Sequence, residues 1–322
     1  MGIVHREPTG SDFPDFEVIP ALQPEPAGPP VAACADPDLA ECPLCQGAAS
    51  RFRVVDGVTY HVCAACDFIF ADPDLLHRID RGLATREYDD HYWAAELASA
   101  RQRSYGSSLA RLAEALLYCT IPVQRFIDIG TGPGYLLDAV AHYLPHSAAR
   151  FYGVEKFPPL AQHRTRSPNY ICADLVDVSM AFECGICVEV MEHLTPAMAR
   201  GVAEAMAGIS VPGSLFLFNT GLTDYVLNED PDYLDPYVRG HITCWSVSAA
   251  RRIFEPSGFE VRALPGKTWA FIVEMPGPSA RMKLPVGDRI WTAEPENIAI
   301  LSSIETGELM YILGRESARA YC

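Results

Sequence analysis

From Arg125 onward, short apolar runs alternate with stretches of helical spacing. The runs are Arg125–Gly130 (RFIDIG), Phe151–Glu155 (FYGVE), Tyr170–Asp174 (YICAD), Phe182–Val190 (FECGICVEV), Ser214–Thr220 (SLFLFNT), Gly258–Leu264 and Glu308–Arg315 (ELMYILGR). Helices are expected at Tyr135–Leu144 and Ser246–Pro256 between them. Strand–helix alternation of this kind predicts an α/β fold with a doubly wound, mostly parallel, seven-stranded sheet. Ahead of it, Ala94–Tyr118 sets Leu97, Leu109, Leu112, Leu116 and Leu117 at helical spacing and is expected to pack on the sheet. Residues 267–306, between the last two strands, are too long for a hairpin turn and read as an insertion that can cap a substrate pocket.

Before this core, Arg51–His61 (RFRVVDGVTYH) predicts a hairpin turning at Asp56-Gly57. Residues 1–40 are rich in proline and show no sustained period, so they read as a flexible or extended arm. The division is therefore an arm (1–40), a cysteine-bearing unit (41–75), a helical lid or linker (76–118) and the sheet domain (119–322). A length of 322 residues fits one large domain and one small one.

The first run breaks into glycine as Phe126–Leu136, FIDIGTGPGYL. The pattern is D-x-G-x-G-x-G, with Asp128 ahead of Gly130, Gly132 and Gly134. A dinucleotide fingerprint needs G-x-G-x-x-G, and Tyr135 stands where that pattern would differ, which argues against a nicotinamide enzyme. The stretch resembles motif I of the class I S-adenosylmethionine-dependent methyltransferases. That resemblance covers about Cys42–Arg315 and implies a Rossmann-like sheet whose seventh strand is antiparallel. It also implies that the loop Gly130, Thr131, Gly132, Gly134 and Tyr135 wraps the methionine half of the cofactor, with Asp128 near its amino group. Glu155, 27 residues after Asp128, would take the ribose hydroxyls with Lys156 beside it. Asp174 and Leu175 would meet the adenine. Glu87–Trp93 (EYDDHYW) would be a helical lid near the cofactor, or else a solvated helix with Tyr92 and Trp93 packed inward.

Cysteine changes the picture at the N-terminal side. Cys42-x-x-Cys45 and Cys63-x-x-Cys66, separated by 17 residues, give a zinc-ribbon pattern of four thiolates around one structural zinc ion. A redox dithiol and a rubredoxin-like iron site are the alternatives. A closed four-sulfur shell leaves no open coordination position, so the role is structural or in docking a protein partner, as the arm could also do. Cys184 and Cys187 form another C-x-x-C, but a continuous strand points them to opposite faces, as buried core. A ribbon ahead of motif I resembles a group of methyltransferases acting on sugars or in secondary metabolism.

The net charge of −16 repels nucleic-acid backbones. No stretch of 18 continuous apolar residues predicts a membrane span, and MGIVHREPTGSDF lacks a secretory core, so the cytoplasm is expected.

The acceptor chemistry is expected at Glu189-Val-Met-Glu192-His193, where the fourth strand ends, with His241 later in the chain. Two carboxylates and two imidazoles converging there can bind a divalent cation, Mg2+, Mn2+ or Fe2+. E-x-x-E-H with a later histidine resembles the ubiquinone-pathway O-methyltransferases and the small-RNA 2′-O-methyltransferases. The resemblance implies that Glu189, Glu192, His193 and His241 hold a metal at the acceptor's hydroxyls, with Glu189 also bordering the cofactor. Without a metal, His193 or His241 would be a general base. The expected enzyme is a methyltransferase for a small molecule or saccharide, acting on oxygen. Open alternatives are C-methylation of a keto-sugar, RNA 2′-O-methylation, and a scaffold that binds cofactor without catalysis.

Overall fold

The computed structural model describes residues 38–83 and 89–302, together with Glu308, Leu309 and Leu313. The arm expected over 1–40 lies outside them except for its last residues, as do Glu87 and Tyr88 of the acidic–aromatic cluster. The described residues fall in one compact unit.

The cysteine-bearing unit is a small antiparallel sheet. Its strands are β1 (Leu39–Glu41), β2 (Ala48–Val55), β3 (Val58–Cys63) and β4 (Ile69–Ala71). β2 and β3 turn at Asp56-Gly57, both left-handed with φ of 49° and 81°, the backbone that a two-residue hairpin needs. The two C-x-x-C segments are matched knuckles. Gln46 and Asp67, each just after a second cysteine, are left-handed, with φ of 59° and 53°. Their N–H groups donate back to the Cys42 and Cys63 carbonyls at 2.8 and 2.9 Å. Three helices follow: α1 (Pro73–Asp80), α2 (Asp90–Arg103) and α3 (Leu109–Tyr118). One wide turn, Ser104–Ser108, joins the last two.

The main sheet then builds as expected. Its elements are β5 (Phe126–Ile129), α4 (Tyr135–Tyr143), β6 (Phe151–Glu155), β7 (Tyr170–Cys172), β8 (Phe182–Val188), α5 (Pro196–Ile209), β9 (Ser210–Asn219) and α6 (Thr223–Asn228). α7 (Val247–Phe254), β11 (Glu260–Ala263), β12 (Ala270–Glu274) and α8 (Pro295–Leu301) complete it, and the short strand β10 (Thr243–Cys244) lies between α6 and α7 in the chain. The order is β11-β12-β9-β8-β5-β6-β7, seven strands with β12 antiparallel to both neighbours. β5 is buried along its whole length, as a parallel strand covered on both faces should be. Alternate residues serve the two faces. Ile127, Ile129, Cys187 and Phe218 share one core with α5 and α7, while Phe126, Cys184, Ile186 and Leu217 share the other with α3 and α4. Cys184 and Cys187 therefore lie in opposite layers, as the strand reading requires.

One expectation needs correction. The antiparallel strand is β12, inside the segment 267–306 that reads as an insertion, and not Glu308–Arg315. Glu308 and Leu309 are helical, and most of 310–315 lies outside the described residues. AFIVE is completely buried and closes on Glu274, whose carboxylate pairs with Arg289 and, at 2.6 Å, with Arg262. A short apolar run does not distinguish strand from buried helix, and ELMYILGR satisfies both readings. The ribbon sheet also takes in a strand from beyond β9: β10 joins it in the order β1-β2-β3-β4-β10.

Candidate active site

In a doubly wound sheet, ligands bind outside the carboxyl ends of the strands where the order reverses. Here that place is the end of β5, flanked by β6 and β8. Two groups of side chains meet along this edge.

The first group surrounds the glycine loop. Gly130, Gly132 and Gly134 all have positive φ, of 74°, 58° and 76°. A Cβ on Gly130 would lie 2.5 Å from Val190 Cγ2, and one on Gly134 would strike Thr165 and Tyr170, so these positions exclude larger residues. Asp128 is buried and accepts from the Thr131 hydroxyl at 2.6 Å. Burial pushes its carboxyl up to about 7, against the pull of that hydrogen bond. The Glu155 carboxylate accepts from the Gly132 and Phe157 N–H groups, each at 2.8 Å. Its carboxyl is raised by burial and drawn back by those donors. Lys156 Nζ meets Asp174 Oδ2 at 2.6 Å and lowers the Asp174 carboxyl. Leu175 is buried beside them, and Tyr135 opens α4. Trp93 of α2 packs over the loop, 3.4 Å from where a Gly132 Cβ would stand, and its buried indole N–H has no hydrogen-bond partner. All the expected cofactor positions thus lie on one loop and three strand ends. A left-handed cradle beside a polar donor left without a partner fits S-adenosylmethionine.

The second group lies past β8. Glu189 adopts a left-handed backbone, φ 55°, uncommon for a residue with a Cβ. Its carboxylate accepts from Asn219 Nδ2 at 3.0 Å, and its carboxyl is pushed up to about 8 by burial and then by Glu192. Glu192 is fully buried; one oxygen accepts from the Thr220 hydroxyl at 2.9 Å, and the other has no hydrogen-bond partner. That second oxygen, Oε1, lies 4.0 Å from His241 Nε2. The Nδ1 atoms of His193 and His241 lie 3.0 and 2.7 Å from the Gly240 and Tyr233 carbonyls. A carbonyl only accepts, so Nδ1 carries the proton in both rings and Nε2 presents the lone pair. Burial, reinforced by His193, lowers the His241 imidazole to about 3.

Glu192, His193 and His241 each offer a ligand atom within 4.8 Å of the others. Glu189 stands next to this set without joining it. The structure therefore brings together three of the four expected ligands. An orphaned carboxylate oxygen and two imidazoles with anchored tautomers form a donor set that fits a divalent cation. The four ribbon cysteines are also within mutual reach of one another. Their sulfur pairs, at 3.4 to 3.7 Å, approach the roughly 3.75 Å expected around a tetrahedral zinc with bonds of about 2.3 Å.

Sequence reasoning missed the residues that position these groups. Thr220 and Tyr233 crowd Glu192, with the Tyr233 hydroxyl 3.3 Å from Thr220 Oγ1 and accepting the Gly221 N–H at 2.9 Å. The only sequence signal was Asn-Thr-Gly closing the strand at 219–221. No helix among the described residues is long and apolar enough to cross a membrane.

The family model described as "Methyltransferase domain" matches residues 97–264. No curated protein matches the chain in sequence. Among solved structures, human N-acetylserotonin methyltransferase in complex with SAM is similar at 14% identity and a TM-score of 0.39, over 59% of this chain and 54% of that one. The chain thus spans about half the length of that protein. CalS10 from Micromonospora echinaspora, an amino pentose methyltransferase, is similar at 18% identity and a TM-score of 0.42, over 57% of this chain and 95% of that one. DesVI of Streptomyces venezuelae is similar at 13% identity and a TM-score of 0.43, over 59% of this chain and 100% of that one.

Proposed function

We propose metal-assisted O-methylation of a small molecule or saccharide, from the premise that the chain belongs to the methyltransferase-domain family and is a class I S-adenosylmethionine-dependent enzyme. The observation that carries the proposal is the buried Glu192 oxygen with no hydrogen-bond partner, 4.0 Å from His241 Nε2.

The cofactor supplies an activated sulfonium methyl group. Asp128 and the glycine loop at 130–135 would hold its methionine half, Glu155 its ribose, and Asp174 with Leu175 its adenine. Trp93 would close over the loop and donate its indole N–H to the ligand. Glu192, His193 and His241 would hold a divalent cation, which supplies Lewis acidity to an acceptor hydroxyl. Glu189, held by Asn219, would border both ligands.

The electrostatics of the site favour this reading over a histidine base. An imidazole lowered to about 3 stays neutral at physiological pH and is too weak to take a proton efficiently, which suits a ligand and not a base at His241. His193 alone would remain for that role, and C-methylation of a keto-sugar is the outcome to expect if no second cation binds. The net charge of −16 supports a small acceptor over RNA.

The test is methyl transfer to vicinal diols by zinc-loaded protein otherwise free of divalent cations, with and without added Mg2+, Mn2+ or Fe2+. Activity restored by one of these ions and lost in Glu192→Gln supports the proposal. Full activity of the zinc-loaded protein with none of these ions added would contradict it.

A further inference from the structure

We propose that the four-cysteine ribbon is a working part of the active site. It holds the His241 loop against the Glu192–His193 turn, with Tyr60 as a positioning residue, so that loss of the ribbon's metal releases His241. The proposal rests on reading Glu192, His193 and His241 as the active centre.

β10 begins two residues after His241 and is only two residues long. A strand that short has too few hydrogen bonds to hold its own register. Its partners on one side all belong to the ribbon: Thr243 and Cys244 pair with Phe70 and Ile69, and the Ala71 N–H donates to the Ile242 carbonyl at 2.8 Å. The fully buried Tyr60 hydroxyl, from β3, donates to the His241 carbonyl itself at 2.7 Å.

On its other side the same segment grips the catalytic turn. The Ile242 N–H donates to the Glu192 carbonyl at 3.0 Å, and the indole N–H of Trp245 donates to the Met191 carbonyl at 2.8 Å. The knuckle that carries Cys63 and Cys66 is tied in as well. The Cys66 carbonyl accepts from Ser246, the N-cap of α7, and the Asp67 carbonyl accepts from Thr223 at the start of α6. An independent docking module would leave this knuckle facing outward. Here it is bonded to the starts of α6 and α7, on either side of the His241 segment in the chain, and a metal held by the four cysteines would fix its shape.

Hydrogen exchange of the full chain, read by mass spectrometry, tests this. The metal-loaded protein is compared with chelated protein and with Tyr60→Phe, which removes only the hydroxyl. Removing it leaves the buried His241 carbonyl without its donor. We expect exchange at Ile242–Cys244 to rise about tenfold or more in both, with β5 unchanged. Unchanged protection at Ile242–Cys244 in Tyr60→Phe overturns the proposal, as does a purified protein whose cysteines hold no metal. If chelation unfolds the whole chain, the Tyr60→Phe comparison decides alone. Mn2+ titration of the same samples separates the two claims: a wild type that binds no Mn2+ defeats the proposed metal chemistry, while the exchange result still decides the coupling.

Discussion

The glycine loop and the Glu192–His241 cluster face each other across one sheet edge, yet they are built in opposite ways. On the cofactor side every acid has a partner. Asp128 has Thr131, Glu155 has two backbone N–H groups, and Asp174 has Lys156. On the acceptor side Glu192 keeps a bare, buried oxygen beside two imidazoles. Burying a carboxylate oxygen without a partner is costly, and such a group persists where something absent from the protein alone completes it. The first region is preorganised by its own loops, and the second has the incomplete donor set that the proposed cation would fill.

The contrast should survive substitution. Glu192→Gln or His241→Ala should lower kcat by about a thousandfold, the scale of losing a metal's several kcal/mol of charge stabilisation. S-adenosylmethionine affinity by calorimetry should stay within about twofold. A parallel loss of cofactor binding would mean that the two regions are one. Gly130→Ala should act the other way, weakening cofactor binding by about ten- to a hundredfold, because its Cβ would meet Val190 Cγ2 at 2.5 Å and its φ is 74°. Its metal affinity should hold. Thr220→Val removes only the hydroxyl that steadies Glu192 and should cost about tenfold in metal affinity.

The pH dependence sharpens the comparison further. Glu189 is pushed up to about 8 by burial and by Glu192, so the folded protein binds its proton more tightly than the unfolded chain does. That stability is fully present below the ordinary glutamate range and is lost as pH rises towards 8. Chelated protein should therefore melt lower at pH 8 than at pH 5, Glu189→Gln should flatten the slope, and Asp128, raised to about 7, should contribute what remains. A slope unchanged in Glu189→Gln would remove Glu189 from the account. The smallest effect belongs to Lys156→Ala. Its pair with Asp174 is 57% and 40% exposed, so the change should alter cofactor affinity by no more than about threefold in a direct titration.

The same contrast decides what could be read in the sequence. The cofactor side is local: D-x-G-x-G-x-G lies within seven residues, and Glu155 and Asp174 each close an apolar run. Strand periodicity and glycine spacing carry such information directly. The acceptor side is only half local. Glu192 and His193 are adjacent, but His241 arrives across about fifty residues, on a loop whose position is set by β10 in the ribbon sheet. No period in the sequence announces a two-residue strand, and none announces that Tyr60 reaches the His241 carbonyl. Glu189 illustrates the limit. It satisfies the E-x-x-E-H pattern, but its carboxylate accepts from Asn219 and stands beside the ligand set without joining it. The last strand was obscured for a different reason, since AFIVE and ELMYILGR carry the same apolar signal, and it is pairing with β9 and β11 that identifies the first as the strand.

The most direct measurement is Mn2+ binding to zinc-loaded protein by calorimetry, for the wild type and for Glu192→Gln, with S-adenosylmethionine binding measured on the same samples. We expect one exchangeable Mn2+ in the wild type, none in Glu192→Gln, and equal cofactor affinity in both. A wild type that binds cofactor but no Mn2+, or a Glu192→Gln variant that binds Mn2+ as well as the wild type does, would contradict this.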